Sequence, residues 1–218
     1  NKLVESYIQF IKLVAPQVII FENVHGFTVN FKDKKGAKQY STYVEQALTE
    51  EGYQVAHSII DMSHFGIPQN RKRFILVAMK GHDPKRVFAV LAENRAAFCK
   101  EKGIMCTTSV RDAISDLEKS CGTVPSPDTK GFNAGIYGAI QSGYQKLMRQ
   151  KLSTDTRVVN SHRFVNHRAD TVKLHEDLLR TAPRGKRITP TDGIVDNLNR
   201  RGVTVLDPNS QSPTITSI

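Results

Sequence analysis

The chain has 218 residues, of which 39% are hydrophobic and 24% are charged, an ordinary composition for a globular protein that buries a sizeable core. No apolar run approaches the ~20 residues of a membrane span, and the charged amino-terminal stretch is unlike a signal peptide. The three cysteines, Cys99, Cys106 and Cys121, are odd in number and form no CxxC pair, which argues against a secreted disulfide scaffold.

The charge balance favours a polyanionic partner. Thirty-one Lys and Arg against 21 Asp and Glu give a net charge of +10. The excess is concentrated late in the chain, because residues 144–201 hold 13 basic and 6 acidic side chains, a net charge of +7. This distribution predicts a docking surface for nucleic acid in that segment.

The first third of the chain alternates helix and strand patterns. Apolar residues at helical spacing predict a helix that Pro16 ends, and Gln17–Phe21 then reads as a buried parallel strand. A second helical stripe ends near Gly52, and Tyr53–Ile60 and Phe74–Met79 read as two more strands. This rhythm predicts an α/β sheet with helices on its faces.

The rhythm changes after about residue 82, where we place a domain boundary. A charged helix is predicted over Pro84–Lys100. The stretch Gly122–Tyr137 is rich in Gly, Pro, Ser and Asp and is predicted to form loops.

Glu22 follows the strand Gln17–Phe21 directly, within Phe21-Glu22-Asn23-Val24. Ligands of open parallel sheets bind beyond the carboxyl ends of the strands, so Glu22 is placed where an acid could meet a substrate. The alternative is that Glu22 caps a loop or pairs with a nearby Lys.

A second candidate segment is Gly66-Ile67-Pro68-Gln69-Asn70-Arg71-Lys72-Arg73. If the extended conformation begins by Gln69, then Gln69, Arg71 and Arg73 share one strand face, and two guanidinium groups line up for phosphate, carboxylate or base-edge acceptors. The alternative is a solvated basic edge that protects the sheet from aggregation.

Together, these segments resemble the DNA cytosine-5 methyltransferases. Glu22-Asn23-Val24 is similar to the family's sixth motif, Pro68-Gln69-x-Arg71-x-Arg73 to its eighth, and residues 5–21 to its fifth without the beginning. Ser109–Leu117 resembles a sequence segment that opens the target-recognition region of the family. Ser212–Thr216 resembles the segment where the chain returns to the catalytic domain. The resemblance is strong over residues 1–80 and patchier afterwards.

The resemblance implies an α/β fold: part of a Rossmann-like methyltransferase sheet with a second, basic target-recognition domain. The expected division is a catalytic core over 1–82, a target-recognition domain over 83–211 and a return strand over 212–218. The implied reaction transfers a methyl group from S-adenosyl-L-methionine to carbon 5 of a flipped-out cytosine in double-stranded DNA.

The family roles carry over to individual residues. Glu22 would stabilise charge at cytosine N3, Arg73 would hold O2, and Arg71 would support Glu22 or a backbone phosphate. Asn23, Gln69 and Thr214 are the candidate substrate-binding residues, Thr214 because a Thr followed by an aliphatic residue anchors DNA contacts in the family. His162 and His167 fit no zinc signature, and we expect a surface or DNA-facing role for them.

The sequence departs from the family in two respects. It contains no Pro-Cys dipeptide for the nucleophile and no glycine-rich loop for S-adenosylmethionine, and its first residue is Asn1 rather than Met. We therefore expect the middle of a bacterial or phage modification enzyme, cytoplasmic, inactive by itself and completed by amino- and carboxyl-terminal parts that a separate chain could supply.

Two alternatives stay open. The chain could be a non-catalytic DNA-binding recognition fragment or a subunit of a split methyltransferase. It could also be an RNA cytosine-5 methyltransferase, since one branch with these motifs acts on transfer RNA, although 83–211 is long for the recognition region of that branch.

Overall fold

The structure is a computed structural model that describes residues 2–33, 36–153, 155–196, 198 and 201–214. The chain divides into two compact units. The first unit comprises Asn1–Met62 and Arg71–Ala97, and the second comprises Ser63–Asn70 and Phe98–Ile218. Among the described residues, no helix is both long enough and apolar enough to cross a membrane.

The first unit is a small sheet with helices packed against it. Its helices are α1 (Lys2–Val14), α2 (Tyr40–Glu50) and α3 (Lys85–Glu101), of which α3 continues into the second unit, and its strands are β1 (Val18–Val24), β2 (Phe31–Asp33), β3 (Gly36–Lys38), β4 (Gln54–Asp61) and β5 (Lys72–Met79). Helix α1 ends where predicted, because the residue preceding Pro16 is disfavoured in the helical conformation.

The main sheet has the strand order β1-β5-β4, and β5 is antiparallel to both of its neighbours. The prediction of a buried parallel strand at Gln17–Phe21 is therefore wrong within the described residues. The cause is the link of ten residues between β4 and β5, which reverses the chain and places β5 between the two earlier strands. Burial also alternates along β1, so one face of this strand is exposed. A continuous apolar run cannot reveal either feature.

One face of this sheet carries the core of the first unit. Helices α1 and α2 contribute apolar stripes that pack against alternate residues of β1 and β5. The buried members of this core are Val4, Ile8, Ile11, Ile19, Phe27, Val44, Leu48, Tyr53, Phe74, Leu76 and Ala78. The packed face fixes the register of β1 against β5, and thereby fixes which side chains emerge on the opposite face.

The second unit is built from short elements. Its helices are α4 (Val110–Ile114), α5 (Gly143–Arg149) and α6 (Ala169–Thr181), and its strands are β6 (Thr123–Pro125), β7 (Asn133–Ile136), β8 (Val158–Arg163), β9 (Arg187–Ile188) and β10 (Val203–Thr204). Strands β6, β7 and β8 form an antiparallel sheet in that order. The prediction that Gly122–Tyr137 forms only loops is therefore wrong, because strands of three or four residues are too short to show a period.

A buried ion pair joins the end of α5 to the segment that follows α4. Arg149 at the end of α5 pairs with Asp116, whose side chain is only 4% exposed, and donates a hydrogen bond to the carbonyl of Gly138 at 3.0 Å. The guanidinium of Arg149 also lies 4.1 Å from the ring centre of Tyr137. This arginine therefore serves the structure of the second unit and is not available to a polyanionic partner.

The division into a catalytic core, a target-recognition domain and a return strand stays a prediction. Of the predicted return strand 212–218, residues 215–218 lie outside the described residues, and Ile215 and Thr216 fall among them.

Candidate functional site

An ion pair between Glu22 and Arg73 forms the centre of the candidate site. Arg73 Nε donates to Glu22 Oε1 at 2.7 Å. The two side chains differ in their exposure to solvent. The Arg73 side chain is 13% exposed and the Glu22 side chain is 55% exposed. Arg73 Nη1 also donates to the carbonyl of Lys72 at 2.9 Å. The carboxylate is thus presented to solvent by a guanidinium that is itself held in the sheet.

Strand pairing explains why these two residues meet although 50 positions separate them. The register places Val24 opposite Arg73 and Glu22 opposite Ile75, so all four residues lie on one face of the sheet. This is the face opposite the core, to which Ile19 and Phe74 belong. The core packing therefore sets the direction in which Glu22 points.

Asn23 does not join this pair. Successive residues of a strand point to opposite faces, so Asn23 lies on the face opposite Glu22. Its Oδ1 accepts a hydrogen bond from the backbone N–H of Val24 at 2.9 Å. In this structure Asn23 shapes the end of β1, and its predicted role in substrate binding stays a prediction.

The shared strand face predicted for Gln69, Arg71 and Arg73 is not observed. Strand β5 begins at Lys72, so only Arg73 of the three lies within it. The carbonyl of Arg71 accepts a hydrogen bond from the N–H of Met62 at 3.0 Å, which closes the link between β4 and β5. The contact with Glu22, which the resemblance offered to Arg71, is made by Arg73.

Gln69 lies instead against the end of the described chain, within the second unit. It forms a parallel bridge with Ser212, and the N–H of Asn70 donates to the Ser212 carbonyl at 2.8 Å. The Thr214 hydroxyl donates to the carbonyl of Asn70 at 2.6 Å. The structure therefore brings Gln69 and Thr214 together, two of the residues predicted to bind substrate.

The second unit also holds a group of side chains that the sequence did not single out. The segment after β8 runs beside the turn between β6 and β7, with Arg163 bonded to Thr129 and Asn166 bonded to Gly131. The only sequence signal was the run His162–His167, read there for its two histidines. Its contacts depend on a turn 34 positions earlier in the chain, which no local pattern indicates.

The residues of the first unit do not fit S-adenosylmethionine. A site for this cofactor needs closely spaced glycines in one turn, so that the backbone can approach the ligand. The glycines of the first unit, at positions 26, 36, 52 and 81, are each separated by nine or more residues. Within the described ranges there is also no group of three or more His, Cys, Asp or Glu side chains arranged to hold a metal ion.

Comparison with known proteins identifies the family of the chain. The model of the family described as C-5 cytosine-specific DNA methylase matches residues 1–206. The chain is 41% identical over 71 residues to the Type II methyltransferase M.MspI of Moraxella sp, covering 33% of this chain and 16% of that protein. It is 33% identical over 134 residues to the Type II methyltransferase M.XorII of Xanthomonas oryzae pv. oryzae, covering 61% of this chain and 25% of that protein.

A eukaryotic relative and a solved structure extend the similarity. The chain is 29% identical over 167 residues to the DNA (cytosine-5)-methyltransferase PliMCI of Paracentrotus lividus, covering 68% of this chain and 10% of that protein. A solved E. coli structure, described as a DNA modification methyltransferase encoded within a prophage, shares the fold with a TM-score of 0.52 and 16% identity, covering 98% of this chain and 57% of that one.

The chain thus spans a quarter or less of the length of these three curated relatives. The predicted α/β methyltransferase fold is confirmed by the solved structure. With a family match that extends over residues 1–206, this chain belongs to the C-5 cytosine-specific DNA methylase family.

Proposed function

We propose that this chain supplies one wall of the cytosine pocket and the DNA-recognition surface of a DNA cytosine-5 methyltransferase. The observation that carries the proposal is the Glu22–Arg73 pair on the face of the sheet opposite the core. Family membership names the reaction class, and the pair supplies side chains of the kind that the reaction needs.

The chemistry explains why a carboxylate and a guanidinium belong together. Carbon 5 of cytosine is a poor nucleophile until a thiolate adds to carbon 6, and this addition moves electron density towards N3. Glu22 would contact N3 and the exocyclic amine and stabilise the developing charge there by holding a proton at N3. Half of the Glu22 side chain is exposed, so a base can reach it.

Arg73 has two tasks in this proposal. Its Nε orients Glu22, and its Nη1 donates to the carbonyl of Lys72. A guanidinium has five N–H donors, so the pair with Glu22 leaves donors for the O2 atom of cytosine. Arg71 is proposed to bind a backbone phosphate. Because the base edges are inaccessible inside a duplex, this pocket requires the target cytosine to be flipped out.

The nucleophilic cysteine and the cofactor site are proposed to come from outside the 218 residues of this chain. The family uses S-adenosyl-L-methionine, which supplies the methyl group when bound, and the chain offers neither a glycine-rich turn for it nor a Pro-Cys dipeptide. Cys99, Cys106 and Cys121 belong to the second unit, whereas Glu22 and Arg73 belong to the first. We therefore infer that the 218 residues alone transfer no methyl group.

Methyl transfer measured with radiolabelled S-adenosylmethionine and cytosine-containing duplex DNA tests the proposal. We expect none from the 218-residue chain, and activity in the complete polypeptide or after addition of the completing segments. Activity of the chain alone would contradict the inferred inactivity. Binding of duplex DNA without activity in any combination would instead favour a recognition module that acts by contact.

A further inference from the structure

Residues 129–132 and 163–166 flank one end of the β7–β8 ribbon and are joined by hydrogen bonds; they are here called the ribbon tip. Two hydrogen bonds join its two segments, and a third joins the later segment to the first residue of β7. Arg163 Nη1 donates to Thr129 Oγ1 at 3.2 Å, the N–H of Phe164 donates to the carbonyl of Asn133 at 2.8 Å, and Asn166 Nδ2 donates to the carbonyl of Gly131 at 3.2 Å. The position of the tip is therefore set by the sheet beneath it.

The ribbon tip carries two cations that are not neutralised by ion pairs. Lys130 is exposed and has no carboxylate partner among the described residues. The guanidinium of Arg163 lies over the Phe132 ring, 5.3 Å from its centre, and one of its donors is occupied by Thr129. The nearby carboxylate of Asp128 accepts hydrogen bonds from the Ser126 and Thr129 hydroxyls and attracts Arg163 at longer range, without forming a contact ion pair with it.

Other arginines of the second unit are arranged differently. Arg168 pairs with Asp170, and Arg180 pairs with Asp177, both at 2.5 Å. Phosphate groups would have to compete with these carboxylates for the guanidinium groups. The positive charge at Arg168 and Arg180 is thus partly neutralised, whereas Lys130 and Arg163 form no contact ion pair among the described residues.

The ribbon tip also carries an exposed apolar side chain. Val165 is 63% exposed. Its neighbour Phe164 packs against the ring of His162, with 4.9 Å between the ring centres. Val165 is thus exposed to solvent between two residues that both hydrogen bond to the preceding segment of the ribbon. Such a side chain can contact an apolar group of a partner at little entropic cost.

We propose that Val165 reads the 5-methyl group of a thymine in the major groove while Lys130 and Arg163 bind the flanking phosphates. The major groove admits a two-stranded ribbon, and the thymine methyl is the apolar group that its base edges present there. Phosphate contacts position the ribbon, and the methyl contact carries sequence information. This inference rests on the proposed action on DNA, and deepens it by naming a specificity-determining residue.

Replacement of thymine by deoxyuridine tests this contact, because it removes only the methyl group. The 218-residue chain is first used to select binding sites from short duplexes with a randomised centre. Each thymine of the selected duplex is then replaced in turn by deoxyuridine, and affinities are measured by fluorescence anisotropy. At one position we expect the affinity to fall about fourfold, equivalent to the ~0.8 kcal/mol of one buried methyl group.

Variants assign the effect to the ribbon tip. Val165→Ala should bind the thymine and deoxyuridine duplexes equally. Val172→Ala, which shortens another exposed valine of the second unit, should keep the discrimination. Lys130→Ala should weaken binding to all duplexes alike and reduce the salt slope by about 1, whereas Lys85→Ala in the first unit should leave both unchanged.

The outcomes separate the two proposals. If the wild-type chain binds no duplex, the proposed action on DNA fails, and this inference fails with it. If the chain binds but the selected sites lack thymine, or Val165→Ala keeps the discrimination, only the reading by Val165 is overturned.

Discussion

Arg73 Nε lies 2.7 Å from Glu22 Oε1, and of the two side chains only the carboxylate is largely exposed. The arrangement supplies a rigid base for a group that must meet a ligand, since a guanidinium held in the sheet loses little freedom when it directs a carboxylate outward. A surface ion pair of this kind contributes only about 0–1 kcal/mol to stability. Its main effect is therefore to orient the Glu22 carboxylate.

Glu22→Gln should slow methyl transfer while leaving DNA affinity nearly intact. The glutamine oxygen still accepts from Arg73 Nε, but an amide cannot transfer a proton to N3 as electron density moves there in the transition state. We expect kcat to fall by roughly 10²–10⁴, measured by steady-state methyl transfer in the complete polypeptide. Equal losses in DNA binding and in turnover would contradict this assignment.

Arg73→Ala should weaken binding of a duplex that presents a flipped cytosine more than binding of a duplex with an abasic site, because the O2 contact requires the base. Arg73→Lys is the matched variant: it keeps the charge and loses the planar fork, so it should restore little. Equilibrium titration of both duplexes provides the comparison. Similar losses on the two duplexes would identify Arg73 as a phosphate contact.

DNA binding by the chain should fall steeply with salt. Each phosphate neutralised by a Lys or Arg releases counterions, and contributes about 0.9 to the slope of log affinity against log salt concentration. Anisotropy titrations at several salt concentrations measure this slope. A flat response would rule out the basic second unit as a DNA surface.

Gly143→Ala should destabilise the second unit. A Cβ atom at Gly143, the first residue of α5, would collide with the backbone carbonyl oxygen of Gly103, which cannot rotate away as a side chain can. Overpacking of this kind costs about 1–3 kcal/mol. Gly26→Ala is the control, because a Cβ there meets nothing within 4 Å. Urea unfolding of both variants should show a lower midpoint for the first alone.

The second unit should lose stability in acid. In the capping box at Thr189, the backbone N–H and the hydroxyl donate to Asp192 at 2.6 and 2.8 Å, and these bonds lower the pKa of Asp192 below its ordinary 3.8. A carboxyl group with a lowered pKa stabilises the fold above about pH 4, and this contribution is lost as the pH falls through the folded-state pKa.

Asp192→Asn should therefore flatten the pH dependence of unfolding below about pH 4. Asparagine still accepts hydrogen bonds at the helix start, so the fold at neutral pH should be preserved. Urea unfolding at a series of pH values measures the change. An unchanged pH profile in the variant would show that Asp192 makes no pH-dependent contribution to the free energy of unfolding.

The sequence indicated more of the fold in the first unit than in the second, for a physical reason. Helices α1 and α2 have apolar stripes long enough to show a period, and Pro16 and Gly52 mark their ends. The direction of β5 depends on a ten-residue link, and strands β6 and β7 are too short for a pattern. Local sequence does not encode either feature.

The sequence also predicted part of the candidate site. Motif resemblance placed Glu22 and Arg73 together, and cross-strand register accounts for their contact. Resemblance alone did not show that Asn23 lies on the opposite face or that Arg73 alone of the two arginines bonds to Glu22. The ribbon tip depends on pairings between Thr129 and Arg163, which arise only when distant segments pack.

The exposed face of β1 affects the solubility of the isolated chain. In the described part of the chain β1 pairs on one side only, and Val18 and Ile20 stand 50% and 69% exposed along it. An open strand edge beside apolar side chains is a template for edge-to-edge association between copies. The isolated segment should therefore precipitate as its concentration rises, and Ile20→Lys, which sets a charge in the middle of that edge, is a solubilising change to make before the binding measurements.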